Sequence, residues 1–222
     1  RVLFRSETSA EVYYKWLIDQ IDFKDHALLL FNPALEGEIR TGSANSYGLE
    51  LYVRKQKGNL TGWISYTLSK TTRTVPEIND GKPYLASYDR RHNLAVVASY
   101  DLTDRLNISS NFVFISGQPL TEPIGKYGYQ GQNVLVYSDR NGGKMEIFDR
   151  LDIALTYKFN KRERFEHSLN FSVYNVYRKQ NPFSILWVTE NTDLDIPLNS
   201  QVVAKKTYLF DIVPAITYNF NF

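Results

Sequence analysis

Few side chains in this 222-residue chain have the chemistry of a reactive site. Cysteine is absent, which excludes a thiolate metal centre, a cysteine nucleophile and a disulfide framework. The imidazoles are His26, His92 and His167, and none lies within four residues of another, so no helical metal pair of the H-E-x-x-H type exists. No Ser-His-Asp order, phosphate-binding loop or glycine-rich nucleotide fingerprint stands out. The expectation is a protein that is not an enzyme, with no metal and no cofactor.

Charge is grouped in three places. Asp89-Arg90-Arg91-His92 has paired guanidiniums that suit phosphate or carboxylate. The same residues also make a structural lattice in which Asp89 bridges arginines on neighbouring strands, and this is the preferred reading. Asp149-Arg150-x-Asp152 reads as an ion-pair network rather than as carboxylates for acid–base work, and Arg140-Asn141-Gly142-Gly143 as a turn. Lys plus Arg number 26 against 24 Asp plus Glu, a balance that gives no support to nucleic acid as a partner.

The elements that must position these residues show a period of two. Leu94, Val96, Ala98, Tyr100 and Leu102 alternate with Ala95, Val97, Ser99 and Asp101. Leu151, Ile153, Leu155, Tyr157 and Phe159 alternate with Asp152, Ala154, Thr156 and Lys158. Successive side chains of a strand point to opposite faces, so each run predicts a strand with one apolar and one polar face. Eight long strands follow, near 7–23, 36–57, 60–72, 90–102, 106–118, 148–159, 165–188 and 201–222. The first, AEVYYKWLIDQI, can also be written as a helix. Short turns at Lys57-Gly58-Asn59, Thr103-Asp104-Arg105 and Asn160–Arg164 alternate with long connections near 24–35, 73–89, 119–147 and 189–200. In an up-and-down antiparallel sheet this gathers every short turn at one end and every long loop at the other.

The period does not say which face is wet. Strands of ten or more residues exceed the ~5–6 usual in globular sheets and match a tilted membrane crossing. Aromatic residues reach 14% of the chain, and Trp16, Tyr66, Tyr100, Phe114, Tyr157, Phe159, Phe220 and Phe222 stand on the apolar face towards strand ends, as interfacial girdles do. Lys206 and His167 also fall on the apolar parity, each near a rim where a polar group costs little. No apolar run approaches the ~18–20 residues of a membrane helix. Arg1–Thr8 has no secretion-signal core, so the chain reads as cytoplasmic or as a mature or truncated piece. The final alternation of Ile216, Tyr218, Phe220 and Phe222 resembles the C-terminal targeting strand of bacterial outer-membrane barrels, which the barrel-assembly machinery reads.

Six stretches carry a wider resemblance: NSYGLELYVRKQKGNLTGWISYTLSKT (Asn45–Thr71), YDRRHNLAVVASYDL (Tyr88–Leu102), FISGQPL (Phe114–Leu120), FDRLDIALTYKF (Phe148–Phe159), NFSVYNVYRKQNPFSI (Asn170–Ile185) and FDIVPAITYNFNF (Phe210–Phe222). In this order they resemble the C-terminal barrel half of TonB-dependent outer-membrane receptors, most of all those of Bacteroidetes type with a carboxypeptidase-regulatory-like extension. The resemblance implies an all-β, transmembrane antiparallel up-and-down barrel of about twenty-two strands, plugged by an N-terminal domain that engages TonB. Residues 1–222 would then be the last eight strands, with the plug absent from this chain. It implies outer-membrane lipid, lipopolysaccharide and other outer-membrane or surface lipoprotein subunits as neighbours.

On that reading, Tyr13, Lys15, Glu50, Tyr52 and Arg54 face the lumen as ligand contacts, joined by Tyr84, Tyr88, Tyr127 and Tyr137 from the loops. Asp89, Arg90, Arg91, His92, Asp149, Arg150 and Asp152 form an outer-rim charge network. Two other readings stay open here. One is a self-closed eight-stranded barrel acting as an anchor or complex subunit. The other is a soluble lipocalin-like binder, which needs an apolar interior.

Overall fold

The computed structural model describes residues 6–25, 27–130, 132–159, 165–191 and 200–221. His26, Phe222, the expected turn Asn160–Arg164 and most of the connection 189–200 lie outside them. The wall strands are β1 (Ser6–Phe23), β2 (Ile39–Lys55), β3 (Leu60–Thr74), β5 (His92–Asp101), β6 (Leu106–Ile115), β11 (Phe148–Lys158), β12 (Glu166–Tyr174) and β15 (Val213–Asn221). They hydrogen-bond in that order, each pair antiparallel, and the two-residue β4 (Tyr84–Leu85) adds to β3. The segment that can be written as a helix is therefore a strand: four apolar residues at spacing two win over a helical stripe.

The other strands belong to the long loops. They are β7 (Pro119–Leu120) with β10 (Gly143–Lys144), β8 (Pro123–Tyr129) with β9 (Gln132–Tyr137), and β13 (Pro182–Asn191) with β14 (Ser200–Tyr208). This corrects the expected last two strands. The run 165–188 divides into β12 and β13, and 201–222 into β14 and β15. The break falls where Asn175 and Arg178 take left-handed φ of 55° and 59°, conformations that end a ladder. Arg178 Nε and Asp211 Oδ2, 2.8 Å apart, tie the two breaks together. The result is a wall hairpin with a separate arm, so Lys206 sits in the arm rather than on the wall.

Register shows how the wall is built. One hydrogen-bonded row runs Ser6, Lys55, Gly62, Ala98, Ser110, Ile153, Val173, Pro214. Ser6 is the first residue of β1, at the short-turn end, whereas Pro214 is the second residue of β15, at the long-loop end. The row crosses from one end to the other, which is the stagger of tilted strands in a barrel wall. At Gly62 in this row the backbones approach closely: at its φ of 149°, a Cβ would lie 2.1 Å from the Val97 carbonyl oxygen.

One face of the wall is predominantly apolar from strand to strand. Val12 pairs with Leu49, Leu49 with Leu68, Tyr66 with Leu94, Leu94 with Phe114, Leu155 with Phe171 and Phe171 with Ile216. Nothing among the described residues covers it: Val12 is 80% exposed, Trp16 74% and Ile216 71%. A bulge at Ile18–Asp19, with Asp19 at φ 54°, shifts the β1 register and returns Ile21 to exposure after the parity changes. The buried apolar residues are few: Ala44, Val75, Ile78, Tyr84 and Ala86. They gather at the long-loop end, where the chain after β3 folds back.

Candidate functional site

The polar face of β1–β3 carries the first group of candidates. Tyr13 is half-buried and its ring lies over Gly48, where a Cβ would meet it at 2.8 Å; the absence of a side chain makes that seat. Lys15 is exposed and its ammonium sits 4.9 Å from the Tyr13 ring centroid. Tyr52 is half-buried against Trp63, ring centroids 6.2 Å apart, while Glu50 and Arg54 stand exposed beside it. Trp63 is absent from the sequence-derived set. Its odd number places it on the polar parity among Ser65 and Thr67, and that parity was the available signal.

The loop candidates separate. Tyr127 and Tyr137, in the β8–β9 hairpin, line a cavity of about 710 Å3 with Phe23, Asp25, Asn79 and Arg140. Tyr84 is buried and donates to Asp22 Oδ2 at 2.7 Å. Burial first, then Asp22, pushes its phenol well above the ordinary tyrosine range, so it stays a donor. Tyr88 is exposed with the Arg73 guanidinium 5.6 Å from its ring centroid.

Arg140 ties these loops together. Gly142 N–H donates to the Asp139 carbonyl, and Asn141 has φ 57°, so the segment is a turn as its residues suggest. The turn also aims a guanidinium across the molecule. Arg140 Nη2 donates to the Phe23 carbonyl at 2.6 Å and meets Asp25 Oδ1 at 3.2 Å, and Nη1 lies 3.7 Å from Asp22. Its backbone N–H donates to Asn79 Oδ1 at 2.7 Å, and Asn141 Nδ2 donates to the Leu85 carbonyl at 2.7 Å. The three long loops nearest β1 are thereby joined. Contacts this distant in sequence leave no trace in local spacing.

The charged rim residues form two clusters. Asp89 is buried, accepts the Thr71 N–H at 2.6 Å and has Arg91 at 4.0 Å; Arg90 Nη2 donates to Gln118 Oε1 at 2.9 Å. His92 Nδ1 lies 2.8 Å from the Tyr66 hydroxyl. In the second cluster Arg150 and Asp152 share the polar face, with Nε 3.0 Å from both Asp152 oxygens. Arg150 Nη1 donates to the Tyr174 hydroxyl at 3.0 Å while the guanidinium lies over the same ring, 4.3 Å from its centroid. Asp149 stands on the opposite parity, accepting from Tyr177 OH at 2.7 Å and meeting Lys179 Nζ at 3.3 Å. Burial and Asp149 hold the Tyr177 phenol above its ordinary range. Between the wall and the arm, Arg90, Phe148, Arg150, Tyr174, Phe183 and Phe210 line a cavity of about 440 Å3. In the arm Lys206 pairs with Glu146, whose hydrogen bond keeps the ammonium above its usual value.

At the short-turn end Ile216, Tyr218 and Phe220 form the exposed row of β15. Phe220 stacks on Phe165, centroids 5.4 Å apart. Among the described residues no group of His, Asp and Glu is placed to hold a metal ion.

An open, staggered antiparallel wall with one uncovered apolar face has the strand tilt and alternation of a segment of barrel wall. Comparison with solved structures agrees at the level of fold. The chain is similar to the ferripyoverdine receptor of the outer membrane of Pseudomonas aeruginosa, solved bound to ferripyoverdine, with a TM-score of 0.57 at 13% identity. The match covers 97% of this chain and 25% of the receptor, so the chain spans about a quarter of that protein's length. No family model matches the sequence, and no curated protein matches it.

Proposed function

We propose that the chain is part of the wall of a TonB-dependent receptor in the bacterial outer membrane, importing a nutrient ligand through a gated lumen. The observation that carries this is the continuous apolar face, exposed from β1 to β15, on strands staggered as a barrel requires. In water a patch of that extent favours association or aggregation; in acyl chains it is the solvated surface. The lipocalin-like alternative needs this face turned to a dry interior, and the few buried apolar residues lie elsewhere.

On this reading the short turns face the periplasm and the long loops face outside. The outer edges of β1 and β15 do not pair with each other. Unmet backbone groups in hydrocarbon cost several kcal/mol each, so further strands must cover both edges. This favours a larger barrel over self-closure, to which residues 1–222 contribute eight wall strands. A plug supplied elsewhere engages TonB. The ligand contacts are Tyr13, Lys15, Glu50, Tyr52 and Arg54 on the lumen face, with Tyr88, Tyr127 and Tyr137 at its mouth; Tyr84, buried against Asp22, holds the loop core instead. Lipopolysaccharide would surround the wall at the long-loop end, and surface lipoprotein subunits would seat on the long loops. Ile216, Tyr218, Phe220 and Phe222 form the strand that the assembly machinery reads. The finer likeness to Bacteroidetes-type receptors rests on the six sequence stretches.

Membrane flotation of the full receptor is the direct test. The protein should float with outer membranes after an alkaline wash and leave them only with detergent. It should also lose accumulation of its co-purifying ligand when the proton gradient is collapsed. Release without detergent overturns the membrane assignment; uptake indifferent to the gradient overturns energised import.

A further inference from the structure

At the short-turn end the apolar face carries groups that fit neither acyl chains nor the lumen. There Arg105, Tyr157, Phe159, Phe165, His167, Tyr218 and Phe220 line an open cup of about 520 Å3. His167 lies face to face with Phe159, centroids 4.6 Å apart, with its Nδ1 3.1 Å from the Tyr218 hydroxyl. In the tautomer in which that hydroxyl donates to Nδ1, Nε2 carries the proton and is a donor into the cup. Among the described residues the Arg105 guanidinium meets no carboxylate. Its backbone is fixed: Lys158 N–H donates to the Arg105 carbonyl at 2.8 Å, and Arg105 N–H to Thr103 Oγ1 at 3.2 Å. Away from the turn the cup opens onto Ile108, Leu155, Phe171 and Ile216, one register row of exposed apolar side chains.

A cation, an imidazole donor and an aromatic wall at the head of an apolar strip match one molecule in charge and shape. We propose that the cup binds a single glycerophospholipid of the inner leaflet, phosphate on Arg105 and His167, one acyl chain along Leu155, Phe171 and Ile216. Arg recognises phosphate through its planar fork, and the weakly hydrated guanidinium tolerates an interfacial site. Aromatic rings at headgroup depth position the glycerol region. The assignment rests on the membrane reading proposed above, and in particular on short turns facing the periplasm.

Native mass spectrometry of the delipidated full receptor, titrated in detergent with phosphatidylglycerol or with diacylglycerol of equal chain length, tests it. Phosphatidylglycerol should be retained about tenfold better than diacylglycerol, as one charge-assisted contact implies. Arg105→Gln should erase that preference, and His167→Phe, which keeps the stack, should lower it about threefold. Equal retention of the two lipids, or an unchanged preference in both variants, overturns the proposal. Displacement by glycerol phosphate alone, or by lipopolysaccharide in preference to phospholipid, overturns it as well. If Arg105→Gln does not assemble, as heat-modifiable gel mobility reports, the lipid contrast in the unaltered receptor and His167→Phe decide. A receptor soluble without detergent instead removes the membrane reading, a distinct result.

Discussion

The wall and the long-loop end are held together by different physics. The wall is a ladder of backbone hydrogen bonds whose apolar side chains neighbour one another across strands but are left uncovered by the described residues; Ile18 is 71% and Phe171 46% exposed on it. The loop end packs inward as a water-soluble protein does. Val75, Ile78 and Tyr84 are buried there together, and Arg140, Asp22, Asp25 and Asn79 satisfy one another around them. Fully burying a Val or Ile side chain stabilises by about 1.5–3 kcal/mol. The loop end secures this from its own residues, while the wall must obtain it from its surroundings. The wall's stability is therefore a property of chain plus solvent, and the loop end's is intrinsic.

The sharpest way to break this contrast is a charge placed on either face of one wall strand. Phe171 and Asn170 are neighbours on β12, the first on the apolar face and the second hydrogen-bonded to Thr156 Oγ1 at 2.8 Å. In liposomes Phe171→Arg should cost about 2–4 kcal/mol, the cost of a cation at the bilayer midplane. Asn170→Arg should cost only about 1 kcal/mol, the lost hydrogen bond. Denaturant unfolding followed by tryptophan fluorescence measures both. Equal costs would mean that the two faces see the same solvent.

The next effect belongs to the loop end. Arg140→Ala removes the guanidinium that joins the loop after β6 to the β1–β2 loop, while its backbone N–H stays on Asn79. Hydrogen bonds to charged groups are worth about 1.5–3 kcal/mol, and that stability should be lost locally. Limited proteolysis should then cut between 24 and 38 and between 121 and 142, while the unfolding midpoint of the wall stays in place. A shift in the wall midpoint by the same amount would show that the two regions are one cooperative unit.

This division also explains what was legible in the sequence. A wall strand leaves a period of two because every second side chain meets the same medium, so Leu94–Leu102 and Leu151–Phe159 could be assigned from their own residues. The alternation of turn lengths supplied the up-and-down order in the same way. Where the medium changes, the pattern misleads. The runs 165–188 and 201–222 keep their strand-like composition through Asn175–Asn181 and Leu209–Ile212, yet the chain leaves the wall there. Arg140 could be read only as a turn, since its partners lie more than a hundred residues away. Asp152 could be placed opposite Asp149 by parity alone, whereas the stacking of Arg150 on Tyr174 needed the register of β11 on β12.

A smaller effect should come from the rim between the regions. Arg150→Lys keeps the charge beside Asp152 but loses the two-pronged contact and the stack on Tyr174. A stacked cation of this kind contributes about 0.5–1 kcal/mol where partly exposed. The cost should appear as faster hydrogen exchange at Asn175, whose N–H donates to Asp152 Oδ1 at 3.0 Å. Exchange unchanged at that amide would make the guanidinium's shape irrelevant and leave only its charge.

The smallest effect sharpens the claim that the loop end is self-sufficient. Tyr84 donates to Asp22 from a buried position, and Tyr84→Phe should cost at most about 1 kcal/mol, one hydrogen bond. Its phenol is raised above the ordinary value of 10 by burial and by Asp22, so the folded loop favours the protonated form. A raised value means that this contribution is fully present below about pH 10 and is lost as the pH climbs through the elevated value. No change in loop protection is therefore expected from acid to neutral pH on account of Tyr84. Subtracting the phenolate absorbance titration of Tyr84→Phe from that of the unaltered protein should leave one tyrosine ionising later than an exposed phenol. A difference curve centred at the ordinary value would place Tyr84 in water, and the loop end would lose its claim to a core of its own.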